Sequence, residues 1–395
     1  MPNSILTPTA VTREALAVLH QKCNFIGTIN RQYDDRFAKT GAKIGDTLNI
    51  RLPNEYVVGD GPVITTQDTE ETSVALQVNN QKHVALSFTA VDLTLSLQDF
   101  SKRILEPAMA VLAANIEADA ISMYKDVYNT VYAGANPLAF SNVLQGRKLL
   151  TDNLAPNSQR TANLNTQDNV DLVDALKGLF NDTATISKQY KEGMMGRTAG
   201  FDFYENTLWP RHQSGSAAAT TGYLVNGAAQ TGSSINIDTG STSLLKGDVI
   251  TIANVFRVHP ETKATTNVLQ QFVVTADRTG AGALQVSPAI VTDGGRQNVD
   301  AGPADNAAIS KVNGVANSAA ETSLQYHQDA FTFATADLQM PDGVDWSARE
   351  VYDGISMRII RDYTITNDQF PCRVDVLYGY KALRPQHAVR LHSNQ

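Results

Sequence analysis

The chain has 395 residues, 42% of them hydrophobic and 18% charged, with a formal net charge of −8 and a pI near 5.4. That length holds ample apolar surface for two or three domains, and the composition excludes a disordered or fibrous protein. The acidic balance argues against tight or sequence-specific nucleic-acid binding, which draws most of its affinity from basic patches.

No apolar run approaches the ~20 residues of a membrane-spanning helix. Cys23 and Cys372 are too few for a disulfide framework and read as free thiols of a reducing compartment. Met1-Pro2-Asn3-Ser4 lacks the regions of a signal peptide, so synthesis and folding in a cytosol are expected.

Residues 1 to about 30 read as an arm in which Thr12 caps a short helix carrying Leu16, Leu19 and Cys23 on one face. Asn30-Arg31-Gln32-Tyr33-Asp34-Asp35-Arg36-Phe37 follows, with turn signals at Gly41 and Gly45-Asp46. Thr47–Leu52 and Ser73–Val78 alternate polar and apolar residues, the period of a half-exposed strand. Gly59-Asp60-Gly61-Pro62 and Asp68-Thr69-Glu70-Glu71 lie between them, so the two strands form the sides of one long loop. A two-stranded ribbon is marginal in water, which predicts support from outside its own domain, a second copy of the chain being the candidate.

A helical segment opens at Ser96, an N-cap with Asp99 three residues on, and Pro107 kinks it or starts a new helix. Met109, Leu112, Ile116, Ala120, Met123, Val127 and Val131 form one apolar stripe. The stripe predicts a helix to Tyr132, roughly 39 Å long. Gly134 and Pro137 end it. A further helix is expected over Asp168–Phe180, capped near Thr166 or Asp168. Phe201, Phe203, Tyr204, Leu208 and Trp209 supply aromatic packing.

Ser214–Thr221 is a small, polar linker into a β-rich segment. There Ile235 alternates with Ile237, Ile250 with Ile252, Phe256 with Val258, and Leu284 with Val286. The short strands and turns of 222–292 predict a small barrel or sandwich inserted into a host domain. Residues 293–318 are rich in Gly, Ala and Asn, and strands resume at Ile355, Met357 and Ile359. After a turn at Asn367-Asp368 come Cys372, Val374, Val376 and Tyr378, and Pro385 closes that element.

The seven histidines, at 20, 83, 212, 259, 327, 387 and 392, show no zinc-site helical spacing. Gly193-Met194-Met195-Gly196-Arg197-Thr198 only faintly imitates a phosphate loop, and no serine sits in a Gly-x-Ser-x-Gly elbow. Asp34 and Asp35 point to opposite faces of a strand and read as salt links to Arg31 and Arg36 rather than a catalytic pair. His327 reads as a packed residue whose ring bonds to backbone. No catalytic residue, metal ligand or cofactor is assigned, which moves the weight to a structural role.

Four segments carry a resemblance. They are Asn30–Phe37 running into Gly45–Arg51; Lys246-Gly247-Asp248-Val249-Ile250-Thr251-Ile252-Ala253-Asn254-Val255; Tyr326-His327-Gln328-Asp329-Ala330-Phe331 with Leu338 and Pro341; and Arg373–Tyr380 with Arg384-Pro385. In order and spacing they resemble the major capsid proteins of tailed bacteriophages, in particular podovirus coat proteins with an insertion domain. The resemblance implies an α+β, Hong Kong-type phage capsid fold with an inserted small β-barrel, and no enzymatic activity. It implies an N-terminal arm (1–38), an extended loop (39–82), a peripheral domain with a spine helix (83–150), an axial domain in two parts (151–221 and 293–350), the insertion (222–292) and C-terminal strands (351–395).

A shell of hexamers and pentamers around double-stranded DNA is implied too, in the virion and assembled in the host cytoplasm with a scaffolding protein and a portal. Arg31, Asp34, Asp35, Arg36, Arg51, Glu55, Asp68, Glu70 and Glu71 are the candidate intersubunit contacts. An encapsulin-like compartment shell is the alternative. A glycan-binding surface protein would leave the 107–132 helix without a purpose.

Overall fold

The computed structural model describes residues 8–31, 47–59, 61–62, 66, 71–88, 106–176, 196–312, 315–352, 355–365 and 370–395. The chain divides into two compact units: 1–50 with 73–121 and 331–381, and 51–72 with 122–330 and 382–395.

In the first unit, Pro8 opens the helix Pro8–Lys22 where its missing N–H costs nothing. Leu16, Leu19 and the following Cys23 are buried, as their spacing predicts. Thr12 does not cap: with Pro8 at the start it falls inside the helix and is buried. This helix packs on the strand Trp346–Tyr352 and on the helix Glu106–Ile121. Buried Glu117 of the latter accepts the amides of Asn24 and Phe25 at 3.1 and 2.8 Å. A carboxylate therefore sits at the N-terminus of the short helix Asn24–Thr28, where the dipole favours negative charge.

The long helix buries Met109, Leu112, Ile116 and Ala120 but stops at Ile121, not Tyr132. Its 16 residues measure roughly 24 Å. A 3-10 turn follows at Ser122–Asp126, and Thr130–Tyr132 is a strand. The β-branched Thr130 and Val131 lose less in extended backbone, and Thr130–Tyr132 joins a parallel ladder with Ala388–Ser393. The expected cap at Ser96 lies outside the described residues.

A five-stranded sheet runs Phe331–Ala336, Phe370–Ala382, Ile355–Arg361, Trp346–Tyr352, with Asn80–Phe88 also pairing Phe370–Ala382. Ile355, Met357, Ile359, Cys372, Val374, Val376 and Tyr378 are buried, following the alternation in the sequence. Asp375, fully buried, accepts from Arg358 at 2.8 Å, Arg373 at 2.7 Å and Gln81 at 3.2 Å. The Asn367-Asp368 turn lies outside the described residues.

Thr47–Arg51 and Ser73–Gln77 pair as the expected ribbon. Its Leu48, Ile50 and Leu76, with the adjoining Val78, pack on Ala334, Ala336, Leu377 and Leu338. The base of the ribbon thus rests on its own chain, which corrects the expectation of support from outside. Gly379 makes this possible, since a Cβ there would lie 2.2 Å from the Gln77 carbonyl oxygen.

The second unit is built on a mixed sheet in the order Thr130–Tyr132, Ala388–Ser393, Ala319–His327, Arg160–Leu164, Phe201–Glu205, Arg197–Thr198, with His212–Gln213 joined to Ala319–His327. The final strand departs from the expectation that Pro385 closes the last element. That proline instead begins a 3-10 turn, and Ala388–Ser393 is buried throughout. The helix expected over Asp168–Phe180 is described over Thr166–Leu176. Its cap is Asn165, whose Oδ1 accepts the Asp168 amide at 2.7 Å. The fully buried Asp168 carboxylate accepts from the hydroxyls of Ser323 and Ser393. Burial pushes its pKa up to about 6 against the pull of those hydroxyls.

Six antiparallel strands close a barrel: Gly232–Asp238, Gly282–Ile290, Thr265–Val274, Val249–Val258, Ala308–Lys311, Thr220–Val225. Its core holds Tyr223, Ile235, Ile237, Ile250, Ile252, Phe272, Leu284, Val286 and Ile309. The range 222–292 is therefore too short. The strand Ala308–Lys311 closes the barrel from inside the Gly-, Ala- and Asn-rich stretch, which supplies Val299 and Ile309 to the barrel core.

Candidate functional site

Two features of the second unit stand out, an exposed loop and the joint that carries the barrel. The legs of the ribbon continue into the loop, where Arg51 and Glu71 face each other at 3.2 Å with side chains 77% and 58% exposed. A pair so solvated adds at most about 1 kcal/mol. Both legs touch one turn of the same unit. A Cβ on Gly295 would lie 2.3 Å from the Glu55 carbonyl oxygen, so the backbones are in direct contact there. Arg296 donates to the Thr72 hydroxyl at 2.7 Å. Lys263 Nζ braces the turn by donating to the Gly295 carbonyl at 2.5 Å.

Held in this way, the loop presents Tyr56 at 56% and Val58 at 84% exposure, with Val57 between them. Of the nine residues expected at intersubunit contacts, Arg51, Glu55 and Glu71 lie on this loop and are exposed. Arg31 is half-buried and its guanidinium reaches the Gly27 carbonyl at 3.5 Å. Asp34, Asp35, Arg36, Asp68 and Glu70 lie outside the described residues. The expected contact set lacks the run Tyr56-Val57-Val58, although three consecutive large apolar residues inside a polar loop are a readable signal.

The joint between the barrel and the sheet combines an apolar patch with a buried polar cluster. Tyr128, Val249 and Val273 pack together with Val312. Beside them Gln271 of the barrel imitates a strand partner, its Oε1 accepting the Thr130 amide at 2.7 Å and its Nε2 donating to the Thr130 carbonyl at 3.1 Å. Asp248, fully buried, accepts the amides of Gly215 and Leu245 at 3.0 and 2.9 Å and faces His212 Nε2 at 3.4 Å.

Tyr124 donates to His212 Nδ1 at 3.3 Å, the tautomer that leaves Nε2–H for Asp248. Arg390, with no exposure, donates from Nη1 to the Gly247 carbonyl at 2.7 Å. Gly247 sits at φ +100 with the His212 ring 2.9 Å from where its Cβ would be, so only glycine fits. Burial lowers the Arg390 pKa to about 10, with Tyr124, Asp248 and Asp126 opposing. These residues come from separated segments with no shared spacing, so only the Gly247-Asp248 turn was visible in the sequence.

His327 is 3% exposed and its Nδ1 accepts the Asp329 amide at 3.3 Å, the packed arrangement expected of it. Cys23 and Cys372 are buried free thiols. Among the described residues, no three His, Cys, Asp or Glu side chains group as metal ligands, and no helix is long and apolar enough to cross a membrane.

A loop displayed on an intramolecular brace and an inserted barrel fixed by buried polar groups define a structural protein that works through its surfaces. The family profile described as "P22 coat protein - gene protein 5" matches residues 41–392, and the chain belongs to that family of capsid shell proteins. The encapsulin-like alternative is the less supported of the two readings.

No curated protein matches the chain. Among solved structures it is similar to one from Mycobacterium phage Che8, with 12% identity and a TM-score of 0.46 over 92% of this chain and 89% of that one. It is also similar to the mature capsid of bacteriophage PhiM1, with 10% identity and a TM-score of 0.43 over 92% and 88%. The CUS-3 coat protein I-domain is 30% identical with a TM-score of 0.20, covering 23% of this chain and 95% of that one.

Proposed function

We propose that the chain is the major capsid protein of a tailed phage, assembling as hexamers and pentamers into an icosahedral shell that encloses double-stranded DNA. The observation that carries this reading is the braced loop, which presents Tyr56 and Val58 to solvent. Burying such groups against a neighbour contributes roughly 25 cal/mol per Å² of apolar surface removed from water. Many modest contacts of this kind add up in a closed shell while each one stays reversible. In this reading Arg51, Glu55 and Glu71 form the polar rim of the contact, and Arg31, Asp34, Asp35, Arg36, Asp68 and Glu70 extend it.

The role is structural rather than enzymatic. Assembly takes place in the host cytoplasm, with a scaffolding protein and a portal as partners. Residues 1–38 serve as the arm, 39–82 as the extended loop and 83–150 as the peripheral domain with its spine helix. The barrel is the insertion into an axial domain, and the C-terminal strands return to both parts of the Hong Kong-type fold.

Val58→Asp tests the reading. The residue is 84% exposed, so the unfolding free energy should stay within about 0.5 kcal/mol of the parent. Sedimentation should nevertheless show subunits or capsomers in place of shells. Normal shell yield from this variant would remove the loop from the intersubunit contact.

A further inference from the structure

The buried cluster at the barrel joint contains two histidine rings. His212 and His392 are 2% and 0% exposed, and their ring centroids lie 5.4 Å apart. They belong to different elements: His212 to the short strand His212–Gln213, His392 to the closing strand of the chain. Asp248, which His212 faces, comes from the barrel side of the joint.

We infer that the barrel is clipped to its host sheet by an acid-sensitive latch: protonation of His212 and His392 opens the joint around Asp248 and Arg390 while the barrel itself stays folded. This goes beyond the capsid reading and does not depend on it.

The charges around the latch decide its sign. From the barrel come Asp248 and Lys311, the latter 3% exposed and donating to the Gly215 carbonyl at 3.2 Å. Arg390 comes from the closing strand, fully buried, with Nε and Nη2 lacking an acceptor among the described residues. The 3-10 turn adds Tyr124, Lys125 and Asp126, and Asp126 is shared with Lys246 at 3.6 Å. The strand Ala319–His327 contributes the Thr322 hydroxyl, 3.2 Å from His392 Nδ1, and the Glu321 backbone. Two buried cations, Arg390 and Lys311, thus already stand against one buried carboxylate, Asp248. A further proton on either imidazole adds a third positive charge against that one carboxylate.

The direction of titration agrees. Burial is the largest cause that holds His212 below its ordinary value of 6.5; Asp248 opposes it, and Arg390 and Lys125 add to it. Burial, then Arg390, then His212 hold His392 well below 6.5, against the Glu321 backbone. In the closed joint both rings are neutral. Released into water, each would titrate near its ordinary value, so the open state binds more protons as pH falls through about 6.5. Each histidine then favours opening by up to about tenfold per pH unit, and both together by up to about a hundredfold. Above about pH 7.5 neither contributes.

The barrel core has no share in this titration, being aliphatic and aromatic throughout. A second histidine pair of the same unit, His327 and His387 with ring centroids 6.1 Å apart, lies outside the joint and provides an internal control.

Amide hydrogen exchange on the full-length chain between pH 7.5 and 5.0, with rates corrected for intrinsic exchange, tests the latch. Thr130 N–H, bonded to Gln271, and Gly215 N–H, bonded to Asp248, report on the joint. The Ile235–Ile237 and Leu284–Val286 amides report on the barrel. The expected result is an opening constant at the joint that rises about tenfold or more per pH unit below 6.5, with barrel protection unchanged. His212→Gln and His392→Gln should each flatten that rise, and His387→Gln should leave it intact. Joint protection that is independent of pH, or lost together with barrel protection, would overturn the proposal. So would a rise that survives both substitutions at the joint. Should the joint variants fail to fold, the wild-type pH profile decides alone.

Discussion

Asp248→Ala is expected to destabilise the chain by about 3–5 kcal/mol, the cost of breaking a buried charge cluster by removing one partner. The carboxylate satisfies the amides of Gly215 and Leu245 and faces His212. It is also the only fully buried anion beside the cations Arg390 and Lys311, both under 4% exposed, among the described residues. Alanine would orphan two amides and remove the one fully buried counter-charge beside both cations. Asp248→Asn, which keeps one acceptor oxygen, should cost less, about 1–3 kcal/mol. Urea unfolding of the full chain, followed by near-ultraviolet circular dichroism, would measure both values. An alanine variant within 1 kcal/mol of the parent would show that the cluster is not what fixes the barrel.

The second large effect is expected at Gly379. A Cβ there meets the Gln77 carbonyl oxygen at 2.2 Å, its carbon at 2.9 Å and the Val78 Cα at 3.1 Å. All three are backbone atoms, so no side chain can swing aside. Gly379→Val should therefore cost about 3 kcal/mol, the upper end of ordinary overpacking. It should also lift the ribbon off Leu377, Ala334 and Ala336, the residues its apolar face covers. Proteolysis between Thr47 and Gln77 should accelerate, and shell yield should fall with it. A valine variant that keeps parental protease resistance would mean the ribbon does not depend on this close approach.

The parts of the fold that the sequence made legible are those where one face is apolar and the other wet. Ile235 and Ile237, Ile250 and Ile252, and Ile355 with Met357 and Ile359 alternate because their strands bury a single face, and each is buried. The strand Ala388–Ser393 escaped notice because it is buried on both faces with Arg390 and His392 inside, so its pattern reads as polar. The apolar stripe of the long helix runs on through Val127 and Val131, which are also buried, but past the end of the helix, Val131 in a strand. Periodicity alone could not separate those two outcomes; the competing sheet edge decided between them.

The candidate site was legible only in its charged fringe. Arg51, Glu55 and Glu71 were singled out from a polar loop, whereas the brace that positions them depends on Gly295, Arg296 and Thr72. More than two hundred positions of chain separate Arg296 from Thr72, and no local pattern encodes such a contact. The joint is equally non-local: Asp248, His212 and Arg390 meet through the closure of the barrel and the return of the last strand, which one sequence does not reveal.

The most direct test of the shell-forming role is the assembly state of the purified full-length chain across a range of concentrations, read by analytical ultracentrifugation and negative-stain microscopy. The account predicts closed particles or curved arrays of capsomers that appear above a threshold concentration and disappear in Val58→Asp. A folded chain that stays strictly monomeric at the highest concentration, by both methods, would contradict it.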